Sequence, residues 1–228
     1  EQYGSGMILR AYEERQLGID NALDGIKVKY SPFKGIYFKG LIGKQRHQFI
    51  DGLVNGNGLV RGFDGEIDVN ELFDTLANSK FRLLLGGSFV SKFNDDNTTT
   101  DYILPENVGS FAGRIGMRYG KFRFNGEYVH KINDPYPFNL DERFNYIYKN
   151  GEGLLLNLGY SQRGFAVDLS AKHMDNMLWR STNVSVGPTD LMIGFLPAQC
   201  KQHTYNLAAT LYPYATNFFG EISYQLDV

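Results

Sequence analysis

The chain has 228 residues and a formal charge of −2, from 23 basic and 25 acidic side chains, so nothing in its balance suggests a nucleic-acid partner. Its one cysteine, Cys200, excludes an intramolecular disulfide and a cysteine-based metal cluster. Tyrosine (15), phenylalanine (17) and glycine (26) are abundant against one tryptophan, which suits strands and tight turns. No apolar run reaches the roughly 20 residues a membrane helix needs, whereas a membrane strand needs only about 9–11. No secretion signal opens the chain, as expected of a mature, trimmed or partial sequence. A single all-β domain over residues 1–228 is the expectation.

In chain order, the apolar runs predict strands at Met7–Tyr12, Ala22–Tyr30, Gly35–Arg46, Gly58–Val69 and Phe81–Phe93. Alternation is strongest from Phe111 to Tyr119, where Phe111, Ile115, Met117 and Tyr119 oppose Ala112, Arg114 and Arg118. Gly120 and Lys121 then form a tight hairpin into Phe122–Lys131. Leu154–Ser161 and Phe165–Lys172 repeat the pattern, followed by Thr204–Leu211 and Phe218–Asp227. Leu191–Leu196 is apolar and reads as a further strand or as part of a long loop.

The connections alternate in length. Short turns are expected at Ser31–Lys34, Gly120–Lys121, Ser161–Gly164 and Pro213–Asn217, with a longer one over Asn70–Lys80 that has room for a helical turn. Long polar loops are expected at His47–Asn57, Asn94–Gly109, Asn133–Gly151 and Asp175–Gln199. Outer-membrane barrels keep short turns on one side and long loops on the other, a rhythm for which a soluble sandwich has no physical reason. Tyr30, Tyr119, Phe122, Tyr160, Phe165 and Phe218 bracket the short turns. Rings at one height make an interfacial girdle; in a soluble fold they would be core plugs scattered in height.

The fold expected is therefore an antiparallel transmembrane β-barrel, with about 11 strands visible where bacterial barrels have even numbers. Further strands of a larger even-numbered barrel are expected beyond one or both ends.

The inward face is expected to carry Lys27, Lys29, Lys39, Asp64, Glu66, Asp68, Arg114, Arg118, Arg123, Glu127 and Lys131. Rings of charge of this kind set ion preference in a pore. The mixed signs favour instead a polar-filled interior whose charges pair across strands. Asp64 and Glu66 share a face at about 7 Å, as any alternating strand allows, which is no sign of acid–base catalysis. His47, His130, His173 and His203 lack ligand spacing. Asp95–Asn97 lacks the glycine and glutamate of a calcium loop. Neither a nucleophile signature nor a phosphate-cradling loop is present, so the expectation is no catalytic residue, no cofactor and no metal.

Tyr3–Glu13 running on through Leu17–Asn21, with Leu41–Arg46, Val60–Asp64, Gly86–Ser91, Tyr148–Gly151 and Lys201–Tyr205, resembles a family of outer-membrane β-barrel proteins of unknown function from Bacteroidota. The resemblance covers most of the chain and implies the fold and the bacterial outer membrane as location. Family members are longer, which implies further strands. It implies no substrate, catalytic residue or cofactor. The function expected is a non-enzymatic structural or partner-binding component, contacting outer-membrane lipid by its apolar band and other outer-membrane or surface proteins by its long loops. The alternatives are a passive porin-like channel for small solutes and a soluble β-barrel or sandwich ligand carrier.

Overall fold

A computed structural model describes residues 1–14, 19–47, 54–94, 104–132, 134–140, 143–182, 190–196, 199 and 216–228, and of residues 14, 19, 136–140 and 143–147 it describes the backbone alone. Four two-residue strands come first: β1 (Gln2–Tyr3), β2 (Leu9–Arg10), β3 (Glu13–Glu14) and β4 (Ile19–Asp20). The long strands are β5 (Leu23–Phe33), β6 (Ile36–Arg46), β7 (Asn55–Asp68), β8 (Phe81–Phe93), β9 (Asn107–Tyr119) and β10 (Phe122–Lys131). A small separate hairpin, β11 (Tyr136–Leu140) and β12 (Arg143–Ile147), precedes β13 (Gly151–Gln162), β14 (Phe165–Asp175) and β15 (Gly220–Asp227).

Nine strands form one antiparallel sheet in the order β15-β14-β13-β10-β9-β8-β7-β6-β5. Its strands match the runs of alternating residues because a period of two puts all the apolar side chains of a strand on one face. Met7–Tyr12 is a correction. It contributes only the two residues of β2 to a bridge with β1, and Met7, Ile8 and Leu9 are buried one after another, as an alternating strand would not allow. Thr204–Leu211 lies outside the described residues. Leu191–Leu196 joins no sheet, and its one bridge pairs Met192 with Arg180.

The sheet is not closed. β5 runs from the long-connection end toward its turn into β6, and β15 starts opposite Asp175, the last residue of β14. Both edge strands therefore run the same way, as they must in an antiparallel sheet with an odd number of strands.

The short connections have local causes. Gly35, Gly120 and Gly164 hold positive φ values of 83°, 56° and 81° in the turns after β5, β9 and β13, a region that glycine enters without steric cost. The longer turn after β7 does contain a helical turn, α1 (Val69–Leu72). The Asp68 carboxylate caps it, accepting from the N–H groups of Asn70 and Glu71 at 3.0 and 3.1 Å. Buried Asn70 then donates to the carbonyls of Leu76 and Phe81 at 2.9 and 2.8 Å. Asp68→Ala is expected to destabilise the protein by about 1 kcal/mol through loss of the cap, read as a shifted denaturant midpoint, with Asp68→Asn recovering most of it.

Candidate functional site

The cross-strand register separates two faces of different chemistry. On the outer face, Ile67, Leu85 and Ile115 lie in one row, continued by Gly126, Leu156 and Ala171. A second row runs Phe63, Phe89 and Phe111, with the Phe89 and Phe111 rings 4.9 Å apart. Phe89, in the middle of the sheet, is 38% exposed and Tyr224, on its edge, 75%, while Ile115 and Leu156 are half-buried between their neighbours. Among the described residues nothing covers it. Contiguous apolar surface on this scale marks contact with protein or membrane.

The inner face is covered over its long-connection half by two segments of the chain. Residues 1–11 form one and residues 176–182 with 190–196 the other, and Tyr3, Met7, Ile8, Leu9, Met177, Trp179 and Ile193 bury against Leu41, Val60, Val90, Val129 and Met174. The two segments are joined by backbone bonds, Arg10 N–H to Ile193 O at 2.8 Å and Phe195 N–H to Gly6 O at 2.9 Å. The sheet holds them in turn: Gln45 donates to Met192 O at 2.6 Å, and Lys131 to Leu178 O at 2.5 Å. Close approach needs small residues. A Cβ on Gly58 would lie 1.9 Å from Ser181 O, so only glycine fits there.

The charged residues expected on the inward face share this inner face, and most have partners. Asp64 is buried at the centre of a network: Arg114 reaches its Oδ1 at 2.7 Å, Ser88 donates to the same oxygen at 2.7 Å, and Lys39 lies 3.5 Å from Oδ2. Glu66 is 3.7 Å from Arg114. Buried Glu127 accepts the Ser5 N–H at 2.7 Å and so ties the plug to β10. Lys131 is wholly buried, 3.6 Å from Asp134, which also binds Lys92 at 2.7 Å. Lys27 and Lys29 flank Glu1 at 3.0 and 4.0 Å. Partial burial works to raise the Glu1 carboxyl, but the hydrogen bond and charge of Lys27, with the charge of Lys29, outweigh it and leave that carboxyl below its ordinary range. Burial first, then the carboxylates of Asp64 and Glu1, push the Tyr3 phenol up. Arg123 binds Asp168 at 2.7 Å, and Arg118 is exposed. Asp68 departs from the expected role because its carboxylate is engaged in capping α1.

Tyr30, Tyr119, Phe122 and Phe165 are exposed beside the short turns, and Tyr160 is half-buried between Phe122 and Phe165, with ring centroids 4.9 and 6.5 Å away. Phe218 does not share their height. It precedes β15 at the long-connection end, where it packs on the plug with its ring 6.2 Å from that of Phe195. Residues 213–215 of the turn expected at Pro213–Asn217 lie outside the described residues, and Thr216 and Asn217 stand at the long-connection end, because β15 pairs directly with β14 and starts there.

A family model matches residues 1–228. The chain belongs to DUF6029, a family of unknown function. No curated protein and no solved structure matches it.

Among the described residues of this DUF6029 chain, no group of three or more His, Cys, Asp or Glu is placed to hold a metal ion, and no helix is long and apolar enough to cross a membrane. Cys200, His203 and Asp95–Asn97 lie outside the described residues. The most consequential residue that sequence reasoning passed over is Trp179. It is fully buried, with the Lys92 and Lys131 ammonium groups 5.7 and 5.9 Å from its ring. A lone tryptophan in a segment otherwise read as polar loop is the signal that marks it. Lys172, buried on β14 and bound to Glu221 at 2.6 Å and Thr216 at 3.0 Å, was likewise missed.

Proposed function

We propose that the protein is a wall of a transmembrane β-barrel in a bacterial outer membrane, plugged on its long-connection side, and that it acts as a structural or partner-binding component rather than a catalyst. The observation that carries this reading is the outer face: nine strands' worth of apolar side chains, in register and exposed, backed by a face that is polar or plugged. A hydrocarbon contact gives such a surface a physical reason, since lipid accepts apolar side chains and demands that every backbone group pair within the sheet.

The plug favours the scaffold over the porin-like channel. Residues 1–11, 176–182 and 190–196 occupy the space an aqueous path would use, and hydrogen bonds at Ser5, Leu178 and Met192 anchor them to β10 and β6. The long connections stand at that same end, so they offer the surface for other outer-membrane or surface proteins. The Bacteroidota affinity implied by the sequence resemblance belongs to the same proposal.

The test is fractionation followed by electrophysiology. Membranes from cells expressing the chain should retain it through alkaline carbonate and release it with detergent, and the purified protein should leave a planar bilayer electrically silent. Extraction into plain buffer would remove the membrane reading, and steady, solute-dependent conductance would replace the scaffold with a channel.

A further inference from the structure

Three arginines stand side by side on the inner face near the short turns. Arg82 on β8 lies directly opposite Arg118 on β9, and Arg118 directly opposite Arg123 on β10. Side chains so placed have Cβ atoms about 4.5–5.5 Å apart, and like charges there are destabilising. Only Arg123 has a counter-charge. Its row continues through Gly159 to Asp168, and the missing side chain at Gly159 is what lets the 2.7 Å bridge form, since a Cβ there would lie 2.6 Å from the Asp168 carboxylate. Arg82 and Arg118 are exposed and have no hydrogen-bond or ion-pair partner among the described residues. The Asp68 carboxylate, at the end of neighbouring β7, is engaged in capping α1.

The surroundings leave room. One step further along the same face, toward the plug, come Leu84, Gly116, Asn125 and Asn157, which line a cavity of about 300 Å³ beneath Gly4 and Ser5 of the plug. Arg82 and Arg118 themselves stand open to solvent just outside this cavity, whose lining also takes in Arg114, Glu66 and Glu127.

We propose that Arg82 and Arg118 bind a small soluble phosphate-type oxyanion carrying at least two negative charges. Guanidinium forks match phosphate oxygens bidentately. A dianion bridging two strands neutralises both groups, whereas a single carboxylate neutralises one. The anion removes the repulsion that the bare sheet carries, so binding and folding are linked. The site lies wholly on the inner face and is independent of whether the outer face meets lipid.

Titrating the folded full chain with sodium pyrophosphate at low ionic strength, against sodium chloride of matched ionic strength, tests the site by calorimetry and by the thermal unfolding midpoint. Pyrophosphate is expected to bind and to raise the midpoint where chloride does not. Arg118→Gln is expected to raise the midpoint of the anion-free protein, to bind pyrophosphate at least about tenfold more weakly, and to lose the anion-induced rise. Arg163→Gln, in the exposed turn after β13, should bind as the unaltered protein does. Arg82→Gln carries the same expectation as Arg118→Gln and serves if that variant does not fold. An unaltered protein indifferent to pyrophosphate, or arginine variants that bind it undiminished, would overturn the site; carbonate extraction of the same protein tests the membrane reading separately.

Discussion

Leu156→Arg is expected to destabilise the protein by about 2–4 kcal/mol when it is folded in lipid vesicles, the cost of a cationic side chain near the bilayer midplane. Leu156 lies midway along β13 on the outer face, flanked in register by Gly126 and Ala171. Neither neighbour offers a counter-charge, and the small side chains on both sides give the arginine little to lie along. Asn125→Glu is the matching change on the inner face at the same height. Asn125 is exposed there, opposite Gly116 and Asn157, so that variant should stay within about 0.5 kcal/mol of the parent, as ordinary surface substitutions do. Equilibrium urea unfolding in vesicles measures both. Equal, small effects would mean that the outer face looks onto water.

Trp179→Ala is expected to cost about 3–5 kcal/mol, the range for truncating a buried aromatic to alanine. The ring is fully buried at the junction of the two plug segments. Ile193 N–H donates to the Trp179 carbonyl at 2.8 Å, so the segment carrying Met192 and Ile193 is aligned on it. Two buried lysines, Lys92 and Lys131, sit beside its face and would lose that favourable contact. Loosening should appear locally as well as globally: amide exchange at Met7–Leu9 and Met192–Ile193 should quicken more than exchange in β9 or β10. Trp179→Phe, which keeps an aromatic face, should lose well under half as much. A variant with the parent's stability and unchanged exchange in both plug segments would show that Trp179 anchors nothing.

The sheet was readable from the sequence because its signal is local. Phe111 to Tyr119 alternates residue by residue, and a strand exposed differently on its two faces has no other way to be written. Gly120-Lys121 and Gly164 likewise announce turns through backbone freedom alone. The face shared by Lys39, Asp64 and Arg114 followed from the same alternation. Their mutual contacts did not, because Asp64 and Arg114 are 50 positions apart and meet only through β8.

Met7–Tyr12 shows where the pattern failed. Six residues of mixed apolar character fit a strand, but three consecutive buried side chains mean burial from every side, which is the mark of a plug. Phe218 failed for another reason. The height of an aromatic depends on which end of the sheet its strand starts from, and that depends on β15 pairing directly with β14. The adjacent arginines were visible as residues, yet their rank across β8, β9 and β10 is a matter of register between strands.

By itself, then, the sequence determined the all-β class, most of the strands, the turns and the two-faced chemistry of the sheet, because each is encoded within a few neighbouring residues. Only the tertiary structure decided that residues 1–11, 176–182 and 190–196 cover the long-connection half of the inner face, that nine strands leave two edges running the same way, and that Arg82 and Arg118 stand unopposed. These depend on segments far apart in the chain meeting in a particular register, and a period-two pattern is the same in every register that keeps its faces.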